Sequence, residues 1–182
     1  MDIRSYSSEG FVLSRKNYGE ADRILTVYSK HLGKVTLLAK GVRKPKSRKR
    51  GHIEVFSRLK FSASRTKGFD IMTEAELVDS FETIRKDLKK VSVAYYFCEL
   101  VNRITRDGEK NDAIFVQMSE NLDLMKNGVN LRRLRESFVV DTLVALGFWP
   151  EGAKVNNPDR ILEEVIESRM ASSRVGKRVL SS

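Results

Sequence analysis

The hydrophobic pattern of this chain changes period near residue 80, and no single regular element type accommodates both halves. Before that point apolar residues alternate with polar ones. After it they recur every three or four positions. The first pattern suits strands with one buried face, the second suits helices with one buried stripe, so the chain must join a β unit to an α unit. At 182 residues there is room for one ordinary domain or two small ones.

In the β half, EGFVLSRK (9–16) reads as a first strand with Phe11 and Leu13 on one face. Asn17-Tyr18-Gly19-Glu20 is turn chemistry. Strands two and three fall at about 23–29 and 34–40, separated by a turn through Gly33, which makes a meander. Residues 53–63 alternate again, with Ile53, Val55, Leu59 and Phe61 on one face and Glu54, Phe56, Arg58 and Lys60 on the other. Arg65-Thr66-Lys67-Gly68 closes a hairpin into a fifth strand over 69–77. Five strands of this length close most simply into a small barrel, because closure removes exposed edges. An OB-fold is the leading expectation and an SH3-like barrel the alternative. In the α half, stripes run through 91–106, 112–126 and 131–146, stopped by Asp107-Gly108, Asn127-Gly128 and Gly147. Pro158 can open a last helix carrying Ile161, Leu162, Val165 and Ile166. The expected class is α+β, with a five-stranded OB-fold β-barrel over 1–79 followed by an all-α helical bundle over 80–182.

Between the third and fourth strands lies GVRKPKSRKRGH (41–52). With Lys40 it gathers Arg43, Lys44, Lys46, Arg48, Lys49 and Arg50, and it contains no acid. Such a run repels itself and should be mobile until a polyanion neutralises it. Charge is concentrated accordingly: residues 1–80 hold 17 Lys/Arg against 9 Asp/Glu, and residues 81–182 hold 17 against 15. Clustered cations of this kind are the footprint of a nucleic-acid binder. A basic membrane-surface protein usually adds a basic amphipathic helix or a lipidation signal, and neither is recognisable here. On the more polar face of the fourth strand, Phe56, with Arg58 and Lys60 following it on that face, is the leading candidate to stack on a base, with Tyr18 second.

Catalytic patterns are wanting. Neither G-x-x-x-x-G-K-S/T nor G-x-G-x-x-G occurs. His31 and His52 sit in loops without partners at ligand spacing, and Cys98, the one cysteine, lies inside an apolar helical stripe. No disulfide or multi-cysteine zinc site can form within the chain, which suits a reducing, cytoplasmic setting. Asp70, Glu74 and Glu76 share a strand face under simple alternation. They could in principle hold magnesium for phosphoryl transfer, but a solvated strand face is the plainer reading. The expectation is a binding protein without cofactor or metal and not an enzyme. An RNA- or ribosome-associated binding protein is the alternative to a DNA-binding one, since bulk charge does not separate the two.

Several blocks, in order and at their spacing, carry a family resemblance: EGFVLSRKNYGEADRILTVYS (9–29), HLGKVTLLAKGVRKPKSRKRGHIEVFS (31–57) and DIMTEAEL (70–77). They resemble the N-terminal part of the RecO family of bacterial DNA repair and recombination mediators. DLKKVSVAYYFCEL (87–100) and LRRLRESFVVDTLVALGFWP (131–150) resemble its helical part more loosely. The resemblance implies an N-terminal OB-fold and a C-terminal helical domain. It also implies binding of single- and double-stranded DNA, annealing of complementary strands, and cooperation with RecR to load RecA onto SSB-coated single strands, in a cytoplasmic, nucleoid-associated setting. The family's basic positions fall on Arg15, Lys16, Arg23, Lys34, Lys40, Arg43, Lys44, Lys46 and Arg48. Arg132, Arg133 and Arg135 are the candidates for the site that takes the acidic SSB tail. Many family members carry a four-cysteine zinc site after the region matching Trp149-Pro150. This chain lacks those cysteines, and its C-terminal domain reads as trimmed.

Overall fold

The structure, a computed structural model, describes residues 5–47 and 53–167. Five strands form a closed barrel: β1 (Ser5–Tyr18), β2 (Asp22–Ser29), β3 (Gly33–Ala39), β4 (Arg58–Ser64) and β5 (Asp70–Asp79), in the order β1-β2-β3-β5-β4. All pairings are antiparallel except β3 with β5, which runs parallel through Leu37↔Asp70 and Leu38↔Ile71. This is the OB-fold order. Helices α1 (Glu82–Arg85), α2 (Leu88–Ile104), α3 (Asp112–Lys126) and α4 (Leu131–Ala145) follow, with a further helical segment, α5, over 158–167.

Alternation fills the barrel. Val12, Leu25, Val27, Leu37, Leu59, Phe61 and Met72 point inward and are buried together. The opposite face of part of the barrel is covered by helices, so Phe11, Leu13 and Tyr28 share a second core with Phe97, Cys98, Phe115 and Phe138. β1 reaches both cores because its register shifts between Val12 and Ser14, leaving Phe11, Val12 and Leu13 all buried. α2 lies between β1 and the remaining helices, which is why its buried residues run from Ala94 through Ile104 on a broad face. Side chains cap the helix starts. Asp87 accepts from the N–H groups of Lys89 and Lys90, Asn111 from Ile114, and Asn130 from Arg133.

Two sequence expectations change in the β half. Residues 53–57 are not strand. Phe56 adopts φ 57°, its N–H donates to Val12 O at 2.8 Å, and Val12 N–H donates to Ser57 O at 3.0 Å. The resulting turn breaks the alternation and sends Phe56 into the barrel–helix core. On β5 the register shifts between the partners of Ser62 and Ala63, so Asp70 does not share a face with Glu74 and Glu76. Asp70 turns inward and accepts from Tyr6 Oη at 2.7 Å, whereas Glu74 and Glu76 face solvent.

The two halves are fastened by specific polar contacts. Lys34 Nζ donates to Asn102 O at 2.8 Å and to Thr105 O at 2.7 Å, satisfying carbonyls that the end of α2 leaves open. Gly33, at φ 67°, lies so near the Glu109 carbonyl that a Cβ would sit 2.2 Å from its oxygen. Arg85 donates to Ser80 O, Val55 O and Ser57 Oγ, and its guanidinium lies 3.8 Å from the Phe56 ring centroid. Arg58 bonds Glu9 Oε1 and, at 3.0 Å, Ser119 Oγ of α3.

Candidate nucleic-acid interface

One end of the barrel carries the end of β1, the β1–β2 turn, the exit of β3 and the turns after it. Successive turns occupy residues 40–47, with Lys44 N–H donating to Gly41 O at 3.1 Å and Ser47 N–H to Lys44 O at 3.0 Å. Val42 is fully buried in the barrel core and pins the segment. Gly41 N–H donates to Asp22 Oδ1 at 2.7 Å, Arg43 N–H to Ala21 O at 2.8 Å, and Arg43 Nη1 to Gly19 O at 3.1 Å. The expectation of a mobile loop is therefore corrected for residues 41–47. An apolar anchor and three bonds to the β1–β2 region offset the repulsion among its cations. Arg48, Lys49, Arg50 and His52 lie outside the described residues.

The candidate cations of this end divide into two groups. Arg15 and Arg23 follow the inward parity of Leu25 and stand at the barrel mouth, where Glu54 pairs with both at 2.9 and 3.7 Å. Arg23 also donates to Asn17 Oδ1 at 3.4 Å. These arginines hold the mouth together, and Arg15 stays about a third exposed. Lys16, Lys40, Lys44 and Lys46 are exposed and make no ion pair within the described residues. Their charge is fully presented to solvent, which is what counterion release from a phosphate chain requires.

Other sequence candidates sit elsewhere. Phe56 is corrected as a stacking residue: it is 0% exposed, sealed between Arg85 and Tyr95, whose ring meets it edge-on at 5.7 Å. Lys34 is at the far end of β3, bound to the end of α2 and 3.5 Å from Asp107 Oδ1. Arg58 is held by Glu9 and Ser119 and lies 5.7 Å from the ring centroids of both Phe11 and Phe115. Lys60 is exposed but faces Glu9 and Glu76 across the neighbouring strands, with Glu74 on the same wall. That wall offers a phosphate chain as much repulsion as attraction. On α4, Arg132 pairs with Glu136 at 3.1 Å and Arg135 grips Asp159 at 2.9 and 3.2 Å while lying 4.4 Å from the Tyr96 ring centroid. Arg133, between them in sequence, is exposed.

No group of three or more His, Cys, Asp and Glu among the described residues could hold a metal ion. Burial pushes the Cys98 thiol up to about 12, so it is a protonated core group rather than a nucleophile. No helix among the described residues is long and apolar enough to cross a membrane. One exposed side chain escaped the sequence reading. Phe69, immediately before β5, is 44% exposed and meets Tyr18 edge-on at 6.5 Å. Its place just after the Thr66-Lys67-Gly68 turn marked it as a strand-end residue, and only the β1–β5 proximity made by barrel closure brings it to Tyr18.

Comparison with known proteins accounts for both halves. Residues 1–81 match the family model for the recombination protein O N terminus, and residues 85–158 match that for the recombination protein O C terminus. A DNA repair protein RecO from Pelotomaculum thermopropionicum is 34% identical over 148 residues, covering 81% of this chain and 57% of that protein. The RecO proteins of Desulforamulus reducens, at 34% identity, and of a Roseiflexus species, at 32%, are similar over 82% and 83% of this chain and 58% and 53% of their own lengths. The chain thus spans a little over half the length of the curated relatives it matches. With an OB-fold barrel, a helical region behind it and both family models matched in order, the chain belongs to the recombination protein O (RecO) family.

Proposed function

We propose that this chain is a DNA repair mediator with no catalytic activity of its own. It binds single- and double-stranded DNA, anneals complementary strands, and with RecR helps load RecA onto SSB-coated single strands. The observation that carries the reading is the gathering of Lys16, Lys40, Lys44 and Lys46 at one end of an OB-fold barrel, beside Arg15 and Arg43. The acidic neighbours of Lys60 on the opposite wall favour the turn-side surface over that wall as the main DNA contact. Lysines and arginines that neutralise phosphates bind without sequence preference. A mediator that must act on any damaged strand needs that property. Annealing follows from the same chemistry: two phosphate chains that repel each other approach more readily on a surface that neutralises both. The SSB tail is acidic, and Arg133 with its neighbours on α4 is the surface proposed for it.

The test mixes complementary oligonucleotides coated with the cognate SSB, with and without this protein. Pairing should accelerate in its presence and slow as salt is raised. Unchanged pairing together with salt-insensitive DNA binding refutes the proposal.

A further inference from the structure

The barrel keeps a second outward surface that the cationic turns do not cover. Across four strands, Lys16 faces Ile24, Ile24 faces Leu38, and Leu38 faces Ile71. These residues lie opposite in parity to Leu25, Leu37 and Met72, which fill the barrel, so the row points outward. Farther along the same side of β2, Tyr28 is buried beneath the helices. Ile24, Leu38 and Ile71 are half-buried and belong to neither core cluster among the described residues. Tyr18, two residues beyond Lys16, is 50% exposed, and Phe69, two residues before Ile71, is 44% exposed. Their rings stand edge-to-face with centroids 6.5 Å apart. Two large aromatic rings half in water beside three outward aliphatic residues form an apolar patch, and such patches on a polar surface mark binding sites.

The border of the patch names the occupant. Exposed Lys16 and Lys40 flank it, and exposed Lys67 stands two residues from Phe69. The carboxylate facing Tyr18 across the strands, Asp22, accepts from Gly41 N–H at 2.7 Å. Glu20, in the β1–β2 turn, is the exposed acid close in sequence to Tyr18. Aromatic rings edged by lysines match a strand that offers flat unpaired bases on one side and phosphates on the other. A duplex hides its base faces in its own stack and gains nothing from the rings.

We propose that Tyr18 and Phe69 form a base-stacking surface that gives this barrel its preference for unpaired strands. The phosphates run past Lys16 and Lys40 toward the turns at 41–47. The inference rests on the reading that this end of the barrel binds nucleic acid, and it divides the labour. The lysines supply a salt-dependent hold on any phosphate chain, and the rings supply a salt-independent hold on bases.

Binding is measured for the wild type, Tyr18→Ala with Phe69→Ala, Tyr18→Leu and Tyr18→Phe. The probes are an oligothymidylate, an abasic strand of equal length, an equal-length duplex and an oligouridylate. Losing stacking at two positions should weaken oligothymidylate binding roughly 10- to 100-fold. The salt slope and duplex binding should not move. The wild type should bind the abasic strand as weakly as the double variant does, and Tyr18→Phe should match the wild type. Tyr18→Leu keeps an apolar partner for Phe69, so its loss of affinity reports stacking rather than folding. A parallel loss on oligouridylate supports the surface equally and shows that ribose is accepted. Equal weakening on strand and duplex, or no weakening on either, overturns the stacking surface. A wild type that binds neither strand nor duplex overturns the cationic reading as well, which keeps the two failures distinct.

Discussion

Replacing Lys34 by Met separates a residue that shapes the fold from one that touches DNA. The family resemblance puts Lys34 among the DNA-binding positions, whereas the structure places its ammonium on two carbonyls at the end of α2, at 2.8 and 2.7 Å. Its side chain is only 12% exposed. A hydrogen bond from a charged donor contributes about 1.5–3 kcal/mol, and one ammonium serving two carbonyls is worth less than twice that, so about 2–4 kcal/mol is at stake. The pair with Asp107 adds below about 1 kcal/mol, because that carboxylate is 74% exposed and screened. Met keeps the apolar stem and removes only the charge. For a chain of this size the loss corresponds to a fall in Tm of roughly 5–15 °C. Thermal and urea unfolding read that fall directly. On the same protein, below its Tm, the salt slope of DNA binding should equal the wild-type slope. Unchanged melting together with a shallower salt slope would refute the reasoning and return Lys34 to the interface.

Arg85→Lys should destabilise nearly as much as Arg85→Ala, by about 2–4 kcal/mol, since a point charge cannot replace the planar fork that reaches Ser80 O, Val55 O and Ser57 Oγ while stacking on Phe56. Urea denaturation of both variants checks this, and full rescue by Lys would contradict it. Asp79 ties β5 to α3 through Lys126 at 2.6 Å. Burial would raise its carboxyl, but the hydrogen bonds from Lys126 and Phe81 N–H, with the Lys126 and Arg58 charges, outweigh it and hold the group below the usual carboxylate range. Its contribution is therefore complete above the unfolded-state value of about 3.9 and is lost as pH falls through the lower folded-state value. The pair is about a third exposed, so Asp79→Asn should cost about 1 kcal/mol at neutral pH. The gap from wild type should close in strong acid, as read by urea midpoints across pH.

Much of the architecture is legible from local chemistry. Period-two alternation on β1, β2 and β3 and the stops at Asp107-Gly108 and Asn127-Gly128 place those elements within a few residues. α3 starts and ends where its stripe does. What alternation cannot convey is a break in it. The positive φ of Phe56 and the shifted register on β5 both come from tertiary fit. The first moved the leading stacking candidate into the core, and the second moved Asp70 away from Glu74 and Glu76. Charge tells a similar story. The sequence marks which residues are cationic, but not that Lys34, Arg58 and Arg135 are engaged by groups remote in the chain while Lys16, Lys40, Lys44 and Lys46 are not. Val42, a lone apolar residue among cations, was the one local sign that residues 41–47 would be anchored.

The most direct test of the cationic end is the salt dependence of single-strand binding when Lys16, Lys40, Lys44 and Lys46 are all replaced by Ala. Each phosphate contact on a single strand contributes about 0.7 to the slope of log K against log salt, so loss of four should flatten it by roughly 3. These side chains are exposed and unpaired within the described residues, so melting should barely change. A flattened slope with intact stability is the predicted result. An unchanged slope in a folded variant would contradict the assignment and place the phosphate contacts on another surface.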